Sequence, residues 1–369
     1  MISNTGPRRL FLTGGTGLIG RGVLMELLRE KPELRAFVLV RSPERWLEAV
    51  QAMNIDMTRV TPVIGDVTAD GLGLDKSVRE VLATNVTTVL HCAADTVFSN
   101  PLPVAQRVNT DGTKNLLDLT EPWPGLERLV HVSTAFVVGC RTGTILEKEY
   151  DPEPGFVNHY EESKFEAERL VRTSSCPWVI LRPSTVACDS IHGEVSQFNA
   201  VHRSLRLYHS GLAPMLPGKA TNTVDLVTTG HVVACATAVT TTPDIESRTF
   251  NVCAGDGAIE LGELLDIAQA VWAESEEWRR KSISLPALTD LETYRLFEGT
   301  VESTGDARLR AITKSLSHFV PQLSLSKRFD VSSTEYLMGN PAPKVSTFWE
   351  PMVRHLIETR WAAAVRRAA

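Results

Sequence analysis

The sequence predicts an α/β protein built on a parallel, doubly wound sheet with a smaller lobe toward the C-terminus. Three observations lead there. A glycine-rich turn near the N-terminus sits between a β-prone run and a helical one. Short apolar runs then alternate with helix-compatible segments out to about residue 186, the pattern of a parallel sheet flanked by helices. Past that point the alternation weakens into longer segments interrupted by proline. At 369 residues the chain is long for one core, which favours one large domain with an appended lobe.

The first strand is expected in Arg8–Leu12 and the first helix begins before Val23-Leu24-Met25-Glu26-Leu27-Leu28, whose apolar residues recur at helical spacing. Between them lies Thr13-Gly14-Gly15-Thr16-Gly17-Leu18-Ile19-Gly20. Glycines 15, 17 and 20 fit G-x-G-x-x-G, and glycines 14, 17 and 20 fit G-x-x-G-x-x-G. In either register, residues without Cβ permit a tight turn and let backbone N–H groups at a helix start approach a pyrophosphate. The second strand, Leu34–Val40, ends at Arg41. An acidic residue there would bind the 2′-hydroxyl of NAD; Arg41, with Ser42 and Arg45 beside it, suits the 2′-phosphate of NADP.

A third strand, Val60–Ile64, runs into Gly65-Asp66-Val67, where Asp66 is either an acceptor for the adenine amino group or a helix cap. A fourth, Val86–His91, runs into Cys92-Ala93-Ala94-Asp95, and Ala93 and Ala94 are small where a cofactor would pass. A helix is expected over about residues 103–119, carrying Asn109, and a fifth strand over Leu126–Val132, ending in Ser133-Thr134-Ala135. A polar loop through Gly143, Glu147 and Pro154 follows, with Glu147 and Glu149 expected in solvent. Tyr160–Val171 is helix-compatible, and a sixth strand, Trp178–Leu181, ends at Arg182-Pro183-Ser184. Beyond Val186, helices are expected over Ser196–Ser210, about Thr229–Val239 and Glu260–Trp272, with a last strand at Thr249–Val252. From about Ser282 the chain is expected to be irregular until a helix near Phe348–Arg367.

Tyr160 and Lys164 are four apart, so a helix puts them on one face. A phenol with a pKa of about 10 exchanges protons poorly at neutral pH, and a neighbouring ammonium favours its ionised form. The pair gains meaning from its place after the glycine turn, Arg41, Gly65-Asp66, Ala93-Ala94, Asn109 and Ser133-Thr134, and before Arg182-Pro183.

Composition narrows the classes. Apolar residues make up 43% and charged residues 22% of the chain, and a net charge of −6 offers no basic footprint for nucleic acid. The six cysteines are scattered without C-x-x-C pairs or histidines at zinc spacing, so no metal is expected and the thiols are read as reduced. The N-terminus lacks the pattern of a signal peptide and no stretch approaches the ~18 apolar residues of a membrane span, which together predict a cytoplasmic protein. His159 is read as solvated or structural, His91 and His131 as packed, and Arg354, Arg360, Arg366 and Arg367 as a solvated helix face, with an entrance for an acyl carrier as the alternative.

The order of these landmarks resembles that of the extended short-chain dehydrogenase/reductases, from about Leu10 to Gly255. The resemblance implies a Rossmann fold of that type, with an NADP-binding domain at residues 1–255, including a substrate-lobe segment at about 186–225, and a substrate-binding lobe at 256–369. It implies catalytic roles for Tyr160 as acid/base, Lys164 as the residue that lowers its pKa and orients the nicotinamide ribose, and a hydroxyl polarising the carbonyl. Counting back from Gly139, that hydroxyl falls on Thr134 rather than Ser133, where many relatives carry serine. The implied cofactor contacts are Thr13, Gly14, Thr16, Gly17, Leu18, Ile19, Gly20, Arg41, Asp66, Val67, Ala93, Ala94, Asn109, Ser133, Tyr160, Lys164, Pro183, Ser184 and Val186.

Within that family the strings Leu39-Val40-Arg41, His91-Cys92-Ala93-Ala94, His131-Val132-Ser133-Thr134-Ala135-Phe136-Val137, Tyr160-Glu161-Glu162-Ser163-Lys164 and Val224-Asp225-Leu226-Val227 resemble thioester reductases and fatty acyl reductases. Phe329-Asp330 and the helical segment after it resemble the C-terminal lobe of the latter. The implied reaction is NADPH-dependent reduction of an acyl thioester, carried on coenzyme A or an acyl carrier protein, to an aldehyde, with further reduction to an alcohol left open. The alternatives are a ketone or secondary-alcohol oxidoreductase with a sterol-like or flavonoid-like substrate, a sugar-nucleotide enzyme, and a cofactor-sensing regulator; an oligomer is compatible with all of them.

Overall fold

Strand and helix alternate from Arg9 to Val252. The structure, a computed structural model, describes residues 9–53, 55–304 and 306–362. In order come β1 (Arg9–Thr13), α1 (Leu18–Glu30), β2 (Arg35–Val40), α2 (Pro43–Met53), β3 (Val60–Ile64), α3 (Lys76–Asn85), β4 (Thr88–His91), α4 (Leu102–Asn109), α5 (Asp111–Thr120), β5 (Arg128–Val132), β6 (Gly143–Ile145), α6 (His159–Thr173), β7 (Trp178–Pro183), β8 (Thr185–Cys188), α7 (Ala200–His209), β9 (Met215–Pro217), β10 (Thr223–Val224), β11 (Leu226–Thr228), α8 (Thr229–Thr241) and β12 (Arg248–Val252). Seven strands form one parallel sheet ordered β12-β7-β5-β4-β1-β2-β3. The strand order reverses between β1 and β4, so a crevice opens at their C-terminal ends. Thr13 and His91 are register partners there, which brings the glycine turn against Cys92-Ala93.

The sheet is buried on both faces because its strands are near-continuous apolar runs. On one side Val23, Leu24, Leu27 and Leu28 of α1 pack with Val232, Cys235, Ala236 and Val239 of α8; on the other, Leu82, Leu116, Leu117 and Val171 close over Phe11, Val89 and Ile180. Each valine, leucine, isoleucine and phenylalanine among these contributes about 1.5–3 kcal/mol of transfer free energy when fully buried.

The second part of the chain comprises β13 (Ile259–Glu260), α9 (Leu261–Trp272), α10 (Glu276–Arg280), β14 (Ala287–Thr289), α11 (Leu291–Ser303), α12 (Ala307–Ser317), β15 (Lys327–Phe329), α13 (Ser332–Met338) and α14 (Val345–Glu358). A separate apolar cluster joins residues of 187–226 to residues of 254–356, among them Leu205, Leu264, Trp272, Phe348 and Trp349.

Several elements depart from expectation. The helix expected over 103–119 divides at Thr110, whose hydroxyl donates to the Ser163 carbonyl at 3.0 Å and ties the junction to α6. The helix expected from Ser196 begins at Ala200, because Asn199 caps it by accepting from Val201 N and His202 Nδ1 reciprocates on Asn199 N. The stretch after Ser282 is not irregular: α11, opened by the Asp290 cap, and α12 and α13 lie within it. The polar loop after β5 contains β6, which pairs in parallel with β15. Glu147 is not a solvated loop residue: its carboxylate accepts from Asn251 N (2.8 Å) and Ser333 N (3.1 Å), fastening α13 to β12, and burial raises its pKa. Glu149 is exposed. Met1–Arg8, Arg366 and Arg367 lie outside the described residues. Among the described residues no helix is long and apolar enough to cross a membrane.

Candidate active site

Both ends of the site are built by loops at the C-terminal edge of the sheet. At the β1–α1 turn, Gly14 adopts φ +71° and a Cβ there would lie 2.6 Å from Ala93 N; a Cβ on Gly20 would lie 2.4 Å from the Gly14 carbonyl oxygen. Only glycine lets the turn fold back this tightly. Gly17 caps α1 without a side-chain hydrogen bond, so first-turn N–H groups keep their donors for an anion. A groove beside the turn is lined by Gly14, Thr16, Gly17, Arg41, Asp66, Val67, Ala93 and Ala94, all anticipated, and also by Leu39, Thr68, Cys92 and Val108, which were not. These features fit a dinucleotide: a side-chain-free cradle, a helix start and two exposed arginines, Arg41 and Arg45, at the far end. Gly20→Ala is therefore expected to weaken dinucleotide affinity by about tenfold or more, because the added methyl displaces the Gly14 carbonyl; isothermal titration reads it.

Asp66 serves as a turn residue, its Oδ1 accepting from Thr68 N at 2.8 Å, while it also lines the groove. Ser42 donates to Glu44, which places a carboxylate beside the arginines.

Four anticipated cofactor residues turn their side chains into the scaffold instead. Thr13 is fully buried: its Oγ1 accepts from Ala93 N and lies 2.7 Å from His91 Nδ1. Asn109 spends its amide on Asp95 N, Asp95 O and Ser163 Oγ, holding the β4 loop against α6. Ser133 faces Glu168, and Ser184 faces Asp225. Contacts from these four to a cofactor are left to backbone atoms. Leu18, Ile19 and Gly20 form the first turn of α1. Pro183 ends β7, and Val186 packs in the same apolar cluster as Ile19 and Val132.

The catalytic candidates meet on α6, whose cap Asn158 accepts from Glu161 N at 3.0 Å. Thr134 lies beside the Tyr160 phenol and is the group that favours its ionised form. Burial outweighs that effect and pushes Tyr160 up to about 12. Lys164, expected to lower it, points elsewhere: Nζ donates to the Val132 carbonyl at 2.8 Å and lies 3.2 Å from His131 Nε2, while burial lowers its own pKa to about 8. Thus without a cofactor Tyr160 is a proton donor at neutral pH and Lys164 is charged.

The histidines are packed, as read from their strand-end positions. The Thr113 hydroxyl donates to the Asn109 carbonyl, so His91 Nε2–H donates to Thr113 (3.1 Å) and His91 Nδ1 accepts from Thr13. Burial first, then Lys164, holds His91 at about 3 and His131 well below its usual value, so both are neutral. His159 is exposed, 3.4 Å from Glu162. Arg354 lies on the exposed side of α14, paired with Glu274 and Glu350 rather than lining an entrance.

Aromatic residues the sequence did not single out complete the site. Phe98 packs on Tyr160 with centroids 5.3 Å apart and stacks on Phe319 of the second part. Their separation along the chain leaves no local signal. Beyond Phe319 an apolar cavity is lined by Phe136, Thr185, Leu205, Leu216, Leu264 and Trp349, among others.

A family model described as male sterility protein, with an NAD-binding domain, matches residues 12–236. Fatty acyl-CoA reductase wat of Drosophila melanogaster is 28% identical over 219 residues, covering 55% of this chain and 42% of that protein. The chain thus spans less than half the length of this relative. The terminal R domain from the myxalamid PKS-NRPS biosynthetic pathway superposes with a TM-score of 0.79 at 21% identity, covering 98% of this chain and 93% of that one. UDP-glucuronic acid 4-epimerase from Bacillus cereus in complex with NAD gives 0.65 at 17% identity, with coverage of 96% and 100%. At these identities the structural likenesses establish the fold.

Proposed function

The chain belongs to the male sterility family of NAD-binding extended short-chain dehydrogenase/reductases, and from that premise we propose that it reduces the carbonyl of an acyl thioester with NADPH. The observation that supports this reading is the mainly apolar cavity lined by Phe319, which stacks on the Phe98 ring that packs against Tyr160. A sugar nucleotide would meet leucine, phenylalanine and tryptophan there, whereas an acyl chain buries against them.

The residues at the glycine turn, with Arg41 and Arg45, would hold the cofactor. When bound, it supplies hydride to the thioester carbon. Tyr160 gives its proton to the carbonyl oxygen as negative charge develops, and the Thr134 hydroxyl donates to the same oxygen. Lys164, anchored by Val132 and His131, retains donor capacity toward a ribose. The hemithioacetal then loses its hydroxyl proton and the C–S bond breaks with its electron pair going to sulfur. Aldehyde and thiol leave, and a second round on the aldehyde would give the alcohol.

The test is to mix the protein with NADPH and acyl thioesters of graded length, on coenzyme A and on a carrier protein, and to count released thiol against NADPH consumed. A one-to-one ratio at the aldehyde stage is expected; absence of thiol release from every chain length would sink the reading. Arg41→Ala should lower kcat/KM for NADPH about ten- to a hundredfold and leave that for NADH within about threefold, since a charge-assisted contact to phosphate is removed.

A further inference from the structure

The apolar cavity contains a polar wall that a plain hydrocarbon would leave unsatisfied. Lys327 on β15 lines it and is 4% exposed, and among the described residues its ammonium makes one hydrogen bond, donating to Gln322 Oε1 at 2.7 Å. Gln322, also on the wall, donates through Nε2 to Glu161 Oε1 at 2.7 Å. Glu161 is buried directly after the catalytic tyrosine and accepts as well from Val157 N and Asn158 Nδ2. Lys327 and Glu161 are therefore a charge pair bridged by one amide, with burial lowering the first and raising the second. The Lys327 charge is balanced, but two of its three N–H donors are not.

Tyr208 lines the same cavity. Its buried hydroxyl lies beside the Ser204 side chain and adds a second polar group to the wall. A donor left unmade in an apolar surround is costly, and more so if charged. Surfaces built only to hold alkyl chains omit such groups.

We propose that this cavity takes an acyl chain bearing a neutral hydrogen-bond-accepting oxygen, a hydroxyl or keto group, which receives a hydrogen bond from Lys327. A carboxylate fits less well, because Glu161 through Gln322 already offsets the ammonium. Lys327 is in this role a specificity-determining residue, and the proposal deepens the reading above, on which it rests.

The test is equilibrium displacement of a dansylated fatty acid from the full chain, without cofactor, by matched fatty acids: one unsubstituted and a positional series of hydroxy and keto isomers. At least one isomer is expected to bind about tenfold tighter than the unsubstituted acid. In Lys327→Met that preference should fall to within about twofold. Because Met leaves Glu161 uncompensated, the same comparison is made with Lys327→Met/Glu161→Gln, which removes both charges. No preference in the wild type, or a preference that survives both variants, overturns the proposal. The readout is binding, so a lack of thioester turnover bears on the proposed reaction alone.

Discussion

Tyr160→Phe is expected to lower turnover by about 10²–10⁴-fold while leaving dinucleotide affinity within about twofold. The phenol is the proton donor placed beside Thr134, and burial keeps it protonated. Phenylalanine preserves the packing against Phe98, so the protein should fold and bind as before. Stopped-flow NADPH oxidation and a separate titration of the cofactor distinguish lost chemistry from lost binding. A cofactor-sensing regulator would show neither change, which is the result that overturns an enzymatic reading. The wild-type pH profile adds a second check. Lys164 sits at about 8, below its ordinary value because it is buried, so it is charged under neutral conditions and loses its proton as pH rises through that value. Turnover should therefore fall on the alkaline side of about 8, and Lys164→Met should abolish that limb together with most of the activity.

Much of this was legible because the informative residues are local. The glycine turn, Arg41, Ala93-Ala94 and the Tyr160/Lys164 spacing each lie within a few residues of a strand end or helix start, where pattern and position coincide. Four other residues share a different property: Thr13, Asn109, Ser133 and Ser184 are polar residues whose side-chain partners are distant in sequence, so where their side chains point has no local signal. Ser133 and Thr134 are neighbours just past the end of β5, and sequence alone assigns the catalytic hydroxyl to one of them only through the count from Gly139. Glu147, expected in solvent, follows the same rule. Its acceptors' partners, Asn251 and Ser333, belong to segments that adjacency does not link to it. The second part of the chain is hardest to read, since α11 and α13 bury few residues each and so offer little apolar pattern to follow.

The largest effect on stability is expected at Arg182, a residue the sequence presents only as the end of a strand. Its side chain is 2% exposed and grips Glu168 of α6 in a two-point pair, Nε to Oε1 at 2.9 Å and Nη2 to Oε2 at 2.6 Å, while Nη1 donates to the Lys148 carbonyl. Burial alone would raise Glu168, but Arg182 and then Arg172 outweigh it and hold the carboxyl below its ordinary range. Arg182→Met removes the main counter-charge and leaves a buried carboxylate, a change that costs about 3–5 kcal/mol, with Arg172 at 3.4 Å giving partial relief. The sign with pH follows. In the wild type Glu168 has a depressed folded pKa, so its stabilising share is present above the unfolded value and is lost as pH falls. In the variant its folded pKa is raised, so protonation relieves the strain as pH falls. The deficit in thermal midpoint should thus be widest at neutral and alkaline pH and narrow toward about pH 5. Arg182→Met/Glu168→Gln should recover part of the loss at neutral pH, since neither charge is then buried alone. Equal deficits at all pH values, or no recovery in the double variant, would show that Arg182 acts through packing and not through Glu168. The same pair supports the site, because the Glu168 charge one turn beyond Lys164 raises the lysine's pKa against burial. At that pH Glu168 is still charged and no longer offset by Arg182, so Arg182→Met should move the alkaline limb of turnover to higher pH, a shift that a purely structural defect would not produce.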